Sequence, residues 1–92
     1  MKLDFEWDAE KAAANLSKHG VSFTESAAVF FDPDRIERYD GREDYGEDRY
    51  VTVGRTDAGE LTIAYTLRGD VIRIFSARKA TRHEQRQYWK DR

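Results

Sequence analysis

The chain has 92 residues, and its 16 Lys and Arg side chains nearly balance 18 Asp and Glu side chains, which gives a net charge of −2. A chain of this length holds one hydrophobic core, so we expect a single domain over residues 1–92. No apolar run approaches the roughly 20 residues needed to span a bilayer, the N-terminal sequence is too acidic for a signal peptide, and cysteine is absent. We therefore expect a cytoplasmic protein with neither a membrane partner nor a disulfide framework.

The charge is distributed unevenly along the chain. Residues 1–48 carry 6 basic and 13 acidic side chains, whereas residues 49–92 carry 10 basic and 5 acidic ones. The small net charge is therefore the sum of an acidic half and a basic half. The basic half is compatible with a nucleic-acid partner, although two solvated surfaces of opposite sign give the same counts.

The first predicted helix has both a start and an end signal. A short strand over residues 5–7 precedes Asp8, which is a favourable N-cap for a helix over residues 9–19. This stretch is rich in strong helix formers, with an acid near its start and bases near its end. Gly20 is a favoured residue directly after a helix, so the helix is expected to end there.

A second short helix follows. Ser22 and Glu25 are three residues apart, which is the spacing of a capping box. Asp32-Pro33 ends this helix after Phe31, because the residue before a proline avoids the helical region. Both helices are too short to be stable alone, so each is expected to pack on a sheet.

Strand patterns and a last helix occupy the rest of the chain. Residues 35–39 are expected to form an edge strand, and residues 40–47 a mobile loop. A last helix begins at Thr81, which has capping-box spacing with Glu84, and runs to Trp89. Between them, three alternating patterns joined by short glycine-containing turns predict an antiparallel meander over residues 49–54, 61–67 and 71–76.

The predicted fold class is α+β, with a small antiparallel sheet of about four strands in a meander, two N-terminal helices and a C-terminal helix. Alternation assigns one face of the sheet to the core and leaves the other face open. The predicted core set is Val51, Val53, Leu61, Ile63, Tyr65, Leu67, Ile72 and Ile74. The predicted open set is Tyr50, Thr52, Thr62, Ala64, Thr66, Arg68, Arg73 and Phe75. A bulge near residues 76–78 would reverse part of this assignment.

Several segments together resemble one protein family, in the same order and over nearly the whole chain. They are Phe5–Asp8, Asn15–Phe23, Val29–Asp32, Gly46–Arg49, Val53–Gly54, Tyr65–Arg68, Arg73–Ala80, Glu84 and Tyr88. In this combination the sequence resembles the BrnT-type toxins of type II toxin–antitoxin systems. The resemblance implies a RelE-like fold and a ribonuclease that inhibits translation. It also implies a BrnA-like antitoxin with a ribbon-helix-helix DNA-binding domain, so that DNA is bound only through the toxin–antitoxin complex.

Metal-independent RNA cleavage needs positive charge on the phosphate and groups that transfer protons. Arginine suits the first task because its planar fork matches phosphate oxygens and keeps its charge. We expect Arg73 and Arg78 to hold the scissile phosphate. The surrounding RNA-binding set is expected to be Arg49, Tyr50, Arg68, Lys79, Arg82 and Tyr88. Each of the cations also has a simpler interpretation as an ion-paired surface residue, and Tyr88 as a core-facing helix residue.

The proton-transfer candidates are His19 and Glu47. His19 precedes Gly20, where an imidazolium also complements a helix C-terminus, and Glu47 also fits an ordinary acid of an acidic loop. His83 is more simply a solvated residue, and Glu84 is already explained by the capping box. Two histidines without cysteine give no zinc motif, and the acids of residues 32–48 lack EF-hand spacing. We therefore expect no metal and no other cofactor.

Two other functions fit the same pattern. The chain also fits a non-catalytic partner of a ribbon-helix-helix repressor that modulates the repressor's DNA binding, or a plain RNA-binding sheet. An acid–base residue beside the arginines of the open face would distinguish a ribonuclease from the non-catalytic partner.

Overall fold

The computed structural model describes residues 2–41 and 46–90, so part of the expected loop over residues 40–47 lies outside the described residues. The strands are β1 (Asp4–Glu6), β2 (Ile36–Asp40), β3 (Arg49–Thr56), β4 (Gly59–Arg68) and β5 (Val71–Lys79). The helices are α1 (Ala9–His19), α2 (Phe23–Ser26) and α3 (Arg82–Trp89), with a 3₁₀ helix over Ala27–Phe31. Within these ranges no helix is long and apolar enough to cross a membrane.

The five strands form one mixed sheet in the order β1-β5-β4-β3-β2. Strands β2 to β5 are antiparallel neighbours, which confirms the meander, and the two N-terminal helices and the C-terminal helix are also as predicted. The expected count of about four strands, all antiparallel, is wrong in one respect, because β1 adds a fifth strand parallel to β5. A three-residue strand pattern does not specify its partner, and β1 is held by Phe5, which packs against the core.

The helix boundaries follow from local capping. The Asp8 carboxylate accepts a hydrogen bond from the N–H of Lys11 at 2.9 Å, and Gly20 has the left-handed φ of 70° that favours glycine after a helix. Both predicted capping boxes are present, at Ser22 and at Thr81. The second helix narrows to a 3₁₀ helix after one α-helical turn.

The faces of β3 are opposite to those predicted. Thr52 pairs with Ile63, and Val53 pairs with Thr62. Since cross-strand partners share a face, Tyr50 and Thr52 lie with the core residues of β4, and Val51 and Val53 lie on the opposite face. Every residue from Tyr50 to Val53 suits a strand, so the pattern within β3 does not show which side chains face the core. Only the long-range register with β4 decides this.

A β-bulge lies at Phe75. Ala64 pairs with Ser76, whereas its neighbour Tyr65 pairs with Ile74, so Phe75 is the extra residue on β5. The bulge begins one residue before the range expected for it. The bulge places Arg78 on the same face as Arg73, although their positions differ by five, which in a regular strand would direct them to opposite faces.

Helices cover the two faces unequally. We call the first the helical face, because α1, α2 and the 3₁₀ helix cover its main core, which includes Phe23, Val29 and Ile63. We call the other the open face, although α3 covers one end of it, where Tyr88 packs with Val53 and Ala80. The open face is therefore only partly open.

Candidate functional site

The strand register brings six arginines to the open face, which are Arg38, Arg49, Arg55, Arg68, Arg73 and Arg78. Arg73 pairs with Thr66 and Arg78 with Thr62, while Arg38 pairs with Val51. Arg49 shares this parity, since its neighbour Tyr50 is on the helical face. The sequence analysis included Arg49, Arg68, Arg73 and Arg78 but missed Arg38 and Arg55. The face of Arg38 depends on the register of β2 with β3.

Arg78 is fixed by a bidentate ion pair with Glu84 of α3. Its Nη1 and Nη2 atoms donate to Oε1 and Oε2 of Glu84 at 2.7 and 2.9 Å. Glu84 also accepts hydrogen bonds from the hydroxyl of Thr62 and the N–H of Thr81. These contacts lower the pKa of Glu84 from 4.5 to about 2. The hydrogen bonds from Arg78 have the largest effect, and those from Thr81 and Thr62 add to it. Glu84 is therefore ionised at neutral pH and positions Arg78 rather than exchanging protons.

Arg73 and Arg49 lie at the other end of the open face. Nη1 of Arg73 donates to Oε2 of Glu6 on β1 at 2.5 Å. The guanidinium of Arg49 lies 3.9 Å from the ring centroid of Phe75, and Nζ of Lys11 approaches the same ring at 5.4 Å. Two cations on one aromatic ring concentrate positive charge beside the bulge.

Arg73 and Arg78 do not converge on one point. Their partners on β4, Thr66 and Thr62, are four positions apart, so the Cα atoms of the two arginines are separated by roughly 13 Å. Arg73 is held toward β1 by Glu6, whereas Arg78 is held toward α3 by Glu84. The arrangement suits two different phosphates of one strand better than the single scissile phosphate expected for both.

A groove lies between α3 and the adjacent parts of β2 and β3. Its volume is about 780 Å³, with Val51 and Val53 in its floor. The other lining residues are Ile36, Glu37, Arg38, His83, Glu84, Gln87 and Lys90. This groove places a histidine next to the carboxylate that binds Arg78. His83 was set aside in the sequence analysis, although its helical spacing with Gln87 and Lys90 marks one common stripe of α3.

The remaining predicted cations are more scattered. Glu47 lies just before β3, and its Oε1 is 3.6 Å from Nη2 of Arg68, so these two predicted site residues meet each other. Lys79 ends β5 and Arg82 begins α3, and both are exposed. None of these contacts links Glu47 to Arg78.

The two predicted base-stacking tyrosines differ in outcome, because Tyr50 lies on the opposite face from that expected, whereas Tyr88 lies on the predicted helix but is buried. Tyr50 lies on the helical face, where its ring centroid is 5.6 Å from that of Tyr65 and 5.8 Å from that of Tyr39. Tyr88 is 2% exposed, and its hydroxyl donates to Asp32 at 2.5 Å. Neither ring is presented on the open face, and Tyr88 fits its alternative interpretation as a core-facing helix residue.

His19 is the last residue of α1 and is half-buried. This helix packs on the helical face through Ala12, and its Asn15 binds the backbone of Ala77 at the edge of β5. The structure therefore does not bring His19 to the open face with the arginines. Its catalytic role stays a prediction. In the described ranges there is no group of three or more His, Cys, Asp or Glu side chains that would suit a metal ion.

The comparisons with known proteins now identify what this arrangement is similar to. The family model described as the BrnT ribonuclease toxin of type II toxin–antitoxin systems matches residues 7–84, most of the chain. The match spans both cap signals of α1, the whole meander and the start of α3. It confirms the resemblance predicted from the sequence. No curated protein matches the chain.

Proposed function

The chain belongs to the BrnT family of ribonuclease toxins of type II toxin–antitoxin systems, and on that premise we propose that it is a metal-independent endoribonuclease that inhibits translation by cleaving RNA in the cytoplasm. The observation that carries this proposal is the arginine-lined open face, with His83 in the groove beside the Arg78–Glu84 pair. In this proposal His83 is the acid–base residue that accompanies the arginines.

Arg49, Arg73 and Arg78 of the open face provide a path for an RNA strand. Arg78 binds the scissile phosphate at the groove, and Arg49 and Arg73 bind neighbouring phosphates nearer the bulge. Glu84 fixes the guanidinium of Arg78 before RNA binds, which lowers the entropic cost of forming the phosphate contact. The more remote cations Arg68, Lys79 and Arg82 add to the attractive field.

Cleavage proceeds by attack of the 2′-oxygen on the adjacent phosphorus, which breaks the bond to the 5′-oxygen. The products are a 2′,3′-cyclic phosphate and a 5′-hydroxyl. One proton leaves the 2′-hydroxyl and one is delivered to the 5′-oxygen, and Arg78 stabilises the charge that develops on the phosphate. We assign proton transfer to His83 in the groove. Glu47 and His19, the candidates from the sequence, are the alternatives that the tests below distinguish.

The partner in this proposal is a BrnA-like antitoxin with a ribbon-helix-helix domain. The family supports an antitoxin and an RNA substrate, and DNA binding is then a property of the complex. A ribbon-helix-helix protein encoded by a neighbouring gene would support this identity.

The test is controlled expression of the chain with and without that neighbouring protein, followed by mapping of RNA 5′ ends. We expect growth arrest and new RNA ends without the partner, and neither with it. Cleavage of RNA by the purified chain is expected to persist in EDTA. Growth arrest without new RNA ends would overturn the nuclease mechanism. Altered binding of the repressor to DNA, measured separately with the same proteins, would favour the non-catalytic alternative.

A further inference from the structure

A second groove lies at the opposite end of the sheet from Arg49. It has a volume of about 590 Å³ and is bounded by the end of the 3₁₀ helix, the turn after β3 and the end of α3. Arg49 begins β3 and Arg55 lies near its end, so the two ends are separated by roughly 20 Å. The proposed RNA path does not use this groove.

Two large aromatic side chains are exposed at this groove. Phe31 is 61% exposed and Trp89 is 45% exposed. Both line the groove, and the guanidinium of Arg55 lies 5.5 Å from the Trp89 ring. Exposed aromatic residues that share one concave surface are typical of a protein interface, since they supply a large apolar contact area.

The charge around these aromatics is negative. The acids that line the groove are Asp32, Asp34 and Asp57, whereas Arg55 is its one lining cation among the described residues. Asp34 and Asp57 are exposed, while Asp32 accepts hydrogen bonds from the N–H of Arg55 and the hydroxyl of Tyr88. This excess of acids repels RNA. It also disfavours a symmetric contact with a second copy, because the acids of both copies would meet.

We propose that this groove, rather than the open face, is the anchoring site for the cognate antitoxin. The bound segment carries an apolar side chain between Phe31 and Trp89, flanked by Lys or Arg residues opposite Asp34 and Asp57. This inference deepens the proposed function, since it rests on the toxin–antitoxin assignment and names the surface that the partner uses.

The test measures the affinity of the purified chain for the purified antitoxin by calorimetry, with RNA cleavage by the chain alone as a separate readout. The double variant Phe31→Ala, Trp89→Ala is expected to raise Kd roughly thirtyfold, as loss of interface hot spots does, and to leave cleavage unchanged. Leu67→Ala is the matched control, because Leu67 is 53% exposed outside this groove, and its Kd is expected to equal that of the wild type.

Charge reversal supplies a second test that leaves the aromatic packing intact. Asp34→Lys and Asp57→Lys are expected to weaken antitoxin binding and to make its affinity less sensitive to salt. Wild-type affinity in both the aromatic and the charge-reversal variants would overturn the proposal, as would an equal loss in Leu67→Ala. Self-association lost in the aromatic variants would assign the groove to a second copy instead. If neither the wild type nor any variant cleaves RNA, while the differences in antitoxin binding remain, the nuclease proposal is overturned and this one is not.

Discussion

Glu84 binds both terminal nitrogens of Arg78, and through this pair the first turn of α3 is fixed to β5. The same carboxylate closes the capping box with Thr81 and accepts from Thr62 on β4. One side chain therefore determines where the helix begins, how it docks and which way the guanidinium points.

Stability is expected to depend on the ionisation of Glu84 in acid. Its pKa is lowered from 4.5 to about 2 in the folded protein, so its stabilising effect is present above pH 4.5 and is lost as the pH falls toward 2. Glu84→Gln removes this dependence. Between those pH values, the free energy of unfolding measured with urea should fall by about 2 kcal/mol more in the wild type than in the variant.

The control is Glu25→Gln, which makes the same change in the capping box of α2, where the carboxylate is exposed. This variant should keep the wild-type pH dependence. Parallel pH profiles for Glu84→Gln and the wild type would contradict the role assigned to the pair.

Arg78→Lys is expected to keep the charge and lose the two-pronged geometry. Loss of one such transition-state contact typically lowers kcat by about 10²–10³-fold.

Arg73→Ala should weaken RNA binding with a smaller effect on kcat, because Arg73 contacts a different phosphate in this proposal. Single-turnover cleavage of a short RNA separates the two effects, with the exposed Arg86→Ala as control. Equal kcat for Arg78→Lys and wild type would exclude Arg78 from the scissile phosphate.

The two histidines are expected to differ in effect. His83→Gln should lower the cleavage rate by about 10²–10⁴-fold, because it removes a general acid–base group. His19→Gln should leave the cleavage rate unchanged, since α1 packs on the helical face. The opposite result would return the proton-transfer role to His19, and Glu47→Gln in the same assay tests the remaining candidate.

Tyr88→Phe separates a core role from base stacking. Loss of the hydrogen bond to Asp32 is expected to lower the free energy of unfolding by about 1 kcal/mol, while RNA affinity stays at the wild-type value. Thermal denaturation and a filter-binding assay measure the two quantities. Weaker RNA binding at unchanged stability would show that Tyr88 contacts RNA.

Asn15→Ala tests the attachment of α1 to the edge of β5. The buried Asn15 amide donates to the carbonyls of Ala77 and Val21 at 2.8 and 2.9 Å, and its oxygen accepts from the N–H of Ala77 at 3.1 Å. Removing this side chain leaves buried backbone groups unsatisfied, so we expect a loss of about 3 kcal/mol in urea unfolding. Asn15→Asp should also destabilise, since a carboxylate cannot donate to either carbonyl. A loss below 0.5 kcal/mol, roughly the scale of a typical surface substitution, would contradict this role.

The parts of the fold that sequence predicts well are those set by neighbouring residues. The caps at Asp8, Ser22 and Thr81 act within one helical turn, and glycines mark the turns of the meander. The faces of β3 depend on its pairing with β4, which no local pattern in β3 specifies.

The candidate site divides along the same line. Arg73 is predicted from residue type and strand position, and Arg78 from residue type and its place just before the last helix; both lie on the open face. His83 and Arg38 come together only because α3 packs across β3, far along the chain from β2. The sequence leaves Tyr88 open between a core and a binding surface, because an aromatic residue on a helix fits both, and its burial favours the core.

The bulge at Phe75 has a consequence for chains related to this one. Arg73 and Arg78 are five positions apart, a spacing that in a regular strand directs two side chains to opposite faces. Loss of the bulge without any change in the number of residues would therefore rotate Arg78 away from Glu84 without altering a single functional side chain. A relative whose β5 is regular is expected to carry the two basic residues four or six positions apart, so the parity of this spacing serves as a compact marker of whether the bulge is present.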